Sequence, residues 1–443
     1  MLRNIGGSLP YTPAYFTSLT LTDVRCFGGE QTLDLRDADG RPAKWTIILG
    51  ENGVGKTTLL QCLDRMSPCA WDKLLPGCIK GTFAKNSPFE SAHDLVRVGR
   101  ESCSLYADVT TGRSLADTNV GRGDLLEMKL AISGHRAREP EYGELALRMH
   151  CCGYGASRRS GAAKLATAER SDSAATLHDE SATLVDVEEW LLQLDYAAKS
   201  NGGLRGRFEQ VKQILIDLLP DIDDIRIVGF EHDPPAPAAE LHSPFGWIRP
   251  RQLSLGYRAM MTWVVDLATR MFAAFPTSPD PLREATVVLI DEIDLHLHPR
   301  WQRDLIGYLD AHFPNVQFIA SAHSPLVVQA AQGANIVLLR RDGDRVIIHN
   351  DPQSVQGWRI DQILTSDLFG LPSARPPQSE ALIAERRRIL GQASLSAADQ
   401  ARLGELDAQI GPLPQGETAE DVDAMETIRR FAAMLRDREG TRP

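Results

Sequence analysis

Gly50-Glu51-Asn52-Gly53-Val54-Gly55-Lys56-Thr57 is preceded by the apolar run Trp45-Thr46-Ile47-Ile48-Leu49 and followed by Thr58-Leu59-Leu60-Gln61-Cys62-Leu63. The first flank predicts a buried strand and the second the start of a helix. Together they set G-x-x-x-x-G-K-[ST] in the strand–loop–helix context that gives the pattern its chemistry. Glycines allow backbone N–H groups to converge on phosphates, and the helix N-terminus adds its positive dipole end. Lys56 is expected to reach the β- and γ-phosphates, and the Thr57 hydroxyl to ligate Mg²⁺. The candidate nucleotide-binding residues are Gly50, Glu51, Asn52, Gly53, Val54, Gly55, Lys56, Thr57 and Thr58, and the expected ligand is a nucleoside triphosphate.

The chain has 443 residues, 24% charged and 43% hydrophobic, with a net charge of −11. That length allows two to three domain-sized units, and the charge excludes a basic field over the whole surface, so nucleic acid would need a local patch or a partner. All seven cysteines lie between Cys26 and Cys152 and none forms a C-x-x-C pair. Reduced thiols of a cytoplasmic protein are expected. The N-terminus lacks the apolar core of a signal peptide, and no apolar run reaches the ~18–20 residues of a membrane span.

Residues 16–35 alternate apolar and polar, which predicts two strands around a turn at Gly28-Gly29. Arg25, beside that turn, is a candidate nucleotide contact. Strand-like pieces follow at Ser104-Leu105-Tyr106-Ala107-Asp108-Val109, Glu127-Met128-Lys129-Leu130-Ala131-Ile132 and Leu145-Ala146-Leu147-Arg148-Met149-His150, suggesting an antiparallel lobe. The last leads into Gly153-Tyr154-Gly155-Ala156-Ser157-Arg158-Arg159, a basic loop bracketed by glycines, and then a flexible stretch over 160–182. Residues 186–219 change to helical spacing and predict two amphipathic helices broken at Asn201-Gly202-Gly203, and Asp233-Pro234-Pro235-Ala236-Pro237 reads as a hinge.

The second half carries the chemistry. Arg251-Gln252-Leu253-Ser254-Leu255-Gly256-Tyr257-Arg258 opens an apolar helix and offers phosphate donors at its N-terminus. Ala285-Thr286-Val287-Val288-Leu289-Ile290 then forms a buried strand that delivers Asp291 and Glu292 at its end. Asp291 is placed to hold Mg²⁺ and Glu292 to polarise an attacking water. His296 and His298 in Leu295-His296-Leu297-His298-Pro299 have no clear third ligand at metal-site spacing. The strand Val316-Gln317-Phe318-Ile319-Ala320-Ser321 ends near His323, a candidate contact for the γ-phosphate or the water. Its distance from Glu292 leaves room for one crossover helix.

These motifs resemble an ABC-type ATPase head of the SMC, RecF and OLD group, an α/β fold with a mixed sheet, helices and an antiparallel β lobe. Gly50–Thr57 resembles the Walker A loop, Leu253–Arg258 the signature motif, Ile290–Glu292 Walker B, and His323 the switch histidine. Arg25-Cys26-Phe27 and Tyr154-Gly155-Ala156-Ser157-Arg158 also look like this group. Within it, Leu-Ser-x-Gly-Tyr-Arg and the Leu-His-Pro tail are similar to the PtuA-like ATPases of Septu antiphage systems. The resemblance implies ATP and Mg²⁺ as ligands. It also implies a homodimer, or larger homo-oligomer, in which Ser254 and Gly256 act on the partner's nucleotide while Lys56, Thr57, Asp291, Glu292 and His323 act in cis. A separate nuclease of HNH type is the implied partner, with DNA as a possible contact and no membrane.

The signature departs from the transporter Leu-Ser-Gly-Gly-Gln, no glutamine stands out as a Q-loop residue, and 155–250 is too short for a coiled-coil arm. The expected organisation is an N-terminal lobe over 16–160, a helical insertion and hinge over 161–250, a C-terminal lobe over 251–350 and a helical appendage over 351–443. That appendage has helices near 380–390, 397–410 and 419–435, and Arg386-Arg387-Arg388 reads as a solvated face. Asp342-Gly343-Asp344 reads as a hairpin turn rather than part of a nuclease site. Beside a defence ATPase with a nuclease partner stand two other readings: a RecF-like DNA-repair or DNA-clamp ATPase, and a nucleotide-sensing scaffold with little turnover.

Overall fold

The computed structural model describes residues 13–67, 92–111, 115, 124–133, 136–137, 149–161, 173–200, 205–219, 221–229, 237–352, 355–392 and 395–410. The first part of the chain builds β1 (Ala14–Val24), β2 (Phe27–Asp34), β3 (Trp45–Gly50), α1 (Lys56–Met66), β4 (Ser102–Thr111), β5 (Asp124–Ser133), β6 (Arg136–Ala137), β7 (Cys151–Tyr154) and β8 (Arg159–Ser160). Next come α2 (Ala175–His178), β9 (Thr183–Leu184), α3 (Val187–Ser200), α4 (Arg205–Leu218), β10 (Asp224–Val228), β11 (Ala238–Ser243) and β12 (Gly246–Ile248). The remainder is α5 (Leu255–Ala274), β13 (Thr286–Ile290), α6 (Pro299–His312), β14 (Val316–Ser321), α7 (Pro325–Ala330), β15 (Asn335–Asp342), β16 (Arg345–His349), α8 (Ile360–Leu364), α9 (Pro377–Leu390) and α10 (Ala397–Ile410).

The architecture follows from strands buried on both faces. The central sheet has the order β16-β15-β3-β14-β13-β7. Every neighbouring pair in it is parallel except β15–β16. Side chains alternate across a strand, so a strand covered on both faces is apolar throughout. Trp45, Ile47 and Leu49 of β3, with Val288 and Ile290 of β13, join one core; Ile48, Val287 and Leu289 join the other. Cys151 and Cys152 fall on opposite faces in the same way, which explains a cysteine pair that is neither a disulfide nor a ligand set. On one face pack α3 to α6 and the small sheet β10-β11-β12; on the other lie α1 and the antiparallel sheet β2-β1-β4-β5-β6.

Four sequence expectations change. The β1–β2 reversal falls at Asp23–Cys26, with Val24 opposite Phe27, so Gly28-Gly29 lies inside β2. Asp23 and Arg25 take left-handed φ of 53° and 46° themselves, and Asp23 Oδ1 accepts from Gly29 N at 3.0 Å. The insertion over 161–250 is not purely helical, because β10, β11 and β12 form an antiparallel sheet within it. The stretch over 160–182 contains α2, whose Thr176 and Leu177 are buried. The chain divides into compact units at Gly370 rather than near 350, and Ile363 and Leu368 belong to the first unit's core.

In the second unit α9 and α10 are tied by Arg386–Asp407 at 2.6 Å and Arg402–Glu385 at 2.9 Å. The expected strand over 145–150, apart from its last two residues, lies outside the described residues. So do the break at 201–203, most of the hinge at 233–237 and the helix over 419–435.

Candidate nucleotide site

Because β7, β13, β14 and β3 are parallel neighbours, their C-terminal ends open onto one edge of the sheet, where ligands bind in open α/β folds. From β3 comes the phosphate loop, from β13 the acids, from β14 Ser321 and His323, and from β7 the loop to Arg158.

The phosphate loop is closed by its lysine. Lys56 Nζ donates to the Gly50 and Glu51 carbonyls at 2.9 and 2.8 Å. Burial pulls its pKa below the ordinary value, against the opposing pull of Asp291, Glu292 and Asp294. Gly55 caps α1 at φ 93°, and a Cβ there would sit 2.5 Å from Cys26 Sγ and 2.9 Å from the Phe27 ring. Gly55→Ala therefore combines left-handed strain with a clash under the loop. It is expected to weaken ATP binding by tenfold or more, since each ~1.4 kcal/mol of distortion is one decade. Titration of a fluorescent ATP analogue checks this, and unchanged affinity would refute the close packing.

Thr57 Oγ1 donates to Asp291 Oδ2 at 2.6 Å, while Ser321 Oγ donates to Asp291 Oδ1 at 2.5 Å. The Glu292 N–H donates to Ser321 Oγ at 2.7 Å. Glu292 is left-handed at φ 48°, the turn that takes the chain out of β13. Asp294 accepts from the backbone N–H of His323 at 3.1 and 3.2 Å, and the His323 side chain is exposed. Lys56, Thr57, Asp291, Glu292 and His323 are thus brought to one edge. Ser321, Asp294 and Arg158 were not singled out from sequence as site residues. A hydroxyl residue at the C-terminal end of a strand expected beside the acid-bearing one was the available signal for Ser321.

Arg25 reaches the first two turns of α1: its Nη1 donates to Thr58 Oγ1 at 3.3 Å and Gln61 Oε1 at 3.1 Å, and its Nε to the Asp94 carbonyl. Ser254 and Gly256 stand apart. Ser254 is exposed at the start of α5 and its hydroxyl makes no capping bond, and a Cβ on Gly256 would come within 2.3 Å of the His296 carbonyl. Among the described residues no hydrogen bond joins either to the phosphate loop. His298 caps α6, its Nδ1 accepting from Arg300 N. Beneath the edge, the Tyr154 hydroxyl and the Arg270 guanidinium both donate to buried Asp266, tying β7 to α5.

A family profile described as "AAA domain" matches residues 18–66, and one described as "AAA domain, putative AbiEii toxin, Type IV TA system" matches residues 218–329. "Retron Ec83 probable ATPase" of Escherichia coli is 35% identical over 164 residues, 36% of this chain and 29% of the relative. "Septu protein PtuA" of Bacillus mycoides (strain KBAB4) is 26% identical over 343 residues, 76% of this chain and 42% of the relative. The matches thus span less than half the length of these relatives. The SMC head domain from Thermotoga maritima superposes with a TM-score of 0.38 at 13% identity, over 76% of this chain and all of that one. Two stretches of the chain, one with the phosphate loop and one with the acids, thus match AAA-domain profiles, and the chain is related to Septu PtuA and the retron ATPases.

Proposed function

We propose that the chain hydrolyses ATP at this edge and that two copies close around two nucleotides. Each would present Ser254 and Gly256 to the other's phosphates, and closure would control a separate HNH-type nuclease in antiphage defence. The observation that carries the reading is the chain of bonds from Thr57 through Asp291 to Ser321 and Glu292, beside Lys56, with Ser254 exposed and unengaged. An ATPase site that lacks its signature contacts in cis calls for a second copy to supply them.

The Thr57 hydroxyl and Asp291 carboxylate, 2.6 Å apart, are a hard-oxygen donor pair that fits Mg²⁺. Bound there, the ion would neutralise charge on the phosphate oxygens. Lys56 has three donors, two of them on loop carbonyls, so its ammonium holds the loop while facing the β- and γ-phosphates. Glu292 accepts the proton of the attacking water, and His323 contacts the γ-phosphate. ATP favours the closed pair through its extra contacts there, and hydrolysis removes that preference.

The test is the solution mass of the Glu292→Gln protein with and without ATP. A doubling with ATP, abolished by adding Ser254→Arg, is the expected result. A single mass under every condition would remove the trans role of Ser254 and Gly256.

A further inference from the structure

Arg158 ends the loop that leaves β7 and is buried, at 4% exposure. Its guanidinium makes three hydrogen bonds, all to main-chain carbonyls. Nη2 donates to Asp291 and to Glu292, the latter at 2.8 Å, and Nε donates to Gly155 at 3.2 Å. Among the described residues no carboxylate forms an ion pair with it, although Asp291, Asp294 and Glu292 lie near enough to oppose the desolvation that pulls its pKa down to about 10. Burying an arginine without a contacting carboxylate is costly. Neutral donors could satisfy three carbonyls, so the position draws on the rigid fork and the charge that arginine alone combines.

The geometry at its far end says what the fork does. Successive carbonyls in a strand point to opposite sides. Those of Asp291 and Glu292 converge on one guanidinium because Glu292 turns to φ 48°. Arg158 is itself left-handed at φ 37°. Two residues of this kind, locked to each other, are conformations that persist only where the surroundings over-determine them. The loop over 149–161 contains no glutamine.

We propose that Arg158 is a positioning residue of the ATPase, its guanidinium holding the turn that presents the Glu292 carboxylate; this rests on reading the site as an ATPase. An arginine that merely fills space would affect folding and binding together. One that aims a base affects turnover and leaves ATP affinity in place.

The experiment compares wild type, Lys56→Ala, Arg158→Ala and Arg158→Lys for ATP affinity by equilibrium dialysis and for kcat and KM. Arg158→Ala is repeated with guanidinium chloride at millimolar concentration. The expected result for Arg158→Ala is a kcat lower by about 100-fold, the scale of an ångström-level misplacement, with ATP affinity within about threefold. Added guanidinium restores at least part of the turnover. Arg158→Lys keeps the charge but not the fork, and stays roughly tenfold or more below wild type. A kcat within about threefold of wild type in both variants overturns the proposal, as does a joint loss of binding and turnover without guanidinium rescue. If Arg158→Ala does not fold, Arg158→Lys decides by the same split of kcat from affinity. A wild type that turns over no faster than Lys56→Ala would instead overturn the ATPase reading itself.

Discussion

Glu292→Gln is expected to lower ATP turnover by about 10³-fold, within the range for loss of a general base, while leaving ATP bound. That is about 4 kcal/mol of transition-state stabilisation. The substitution is nearly isosteric, and the backbone of residue 292 is held independently of its side chain. Its N–H donates to Ser321 Oγ and its carbonyl accepts from Arg158. The amide is therefore carried in the same place as the carboxylate and differs only in basicity. Asp291 and Thr57 are untouched, so the donors proposed for Mg²⁺ remain. Single-turnover hydrolysis beside equilibrium ATP binding separates the two effects. Turnover within about threefold of wild type would make Glu292 a solvated turn residue and move the base elsewhere.

Much of this site was legible because its signals are local. Gly50–Thr57 between an apolar strand and a helix is recognisable within about twenty residues, and so is an apolar strand ending in Asp291-Glu292. Ser321 and Asp294 were not, because their roles depend on which strands are neighbours. Ser321 matters because β14 runs parallel beside β13 and brings its hydroxyl to Asp291. Arg158 was visible as part of a basic loop and of the family-like stretch Tyr154–Arg158, but without a role, since nothing in the sequence says that β7 lies against β13. The misplaced β1–β2 turn has a similar origin. Gly28-Gly29 is the stronger turn signal by residue type, but backbone bonds from Arg25 to Leu95 and from Arg97 to Asp23 hold the reversal three residues earlier, at Arg25-Cys26, with non-glycine residues Asp23 and Arg25 at positive φ. The trans role proposed for Ser254 and Gly256 came from family resemblance rather than from a local residue pattern.

Asp266→Ala is expected to cost about 4 kcal/mol of folding stability, the scale for removing one partner of a buried ion pair. The Asp266 and Arg270 side chains are 5% and 15% exposed and meet at 2.5 Å. Burial works against the Arg270 charge, yet Asp266 holds its pKa above the ordinary value. The same carboxylate accepts from the Tyr154 hydroxyl at 3.1 Å and from Val185 N at 3.4 Å, so alanine strips a charge partner and two acceptor contacts at once. Asp266→Asn keeps an acceptor and loses the charge, and is expected to cost about half as much. The surface pair Asp34–Arg36, at 31% and 50% side-chain exposure, is the control: Asp34→Ala is expected to cost under ~1 kcal/mol. Urea unfolding followed by tryptophan fluorescence reads all three. Should Asp266→Ala cost no more than Asp34→Ala, the network contributes no net stability. Should it cost the larger amount, the helix that begins at Ser254 and the strand beside Asp291 share one buried anchor. A shift of either element then strains the other, which is the coupling that the proposed ATP-driven closure would use.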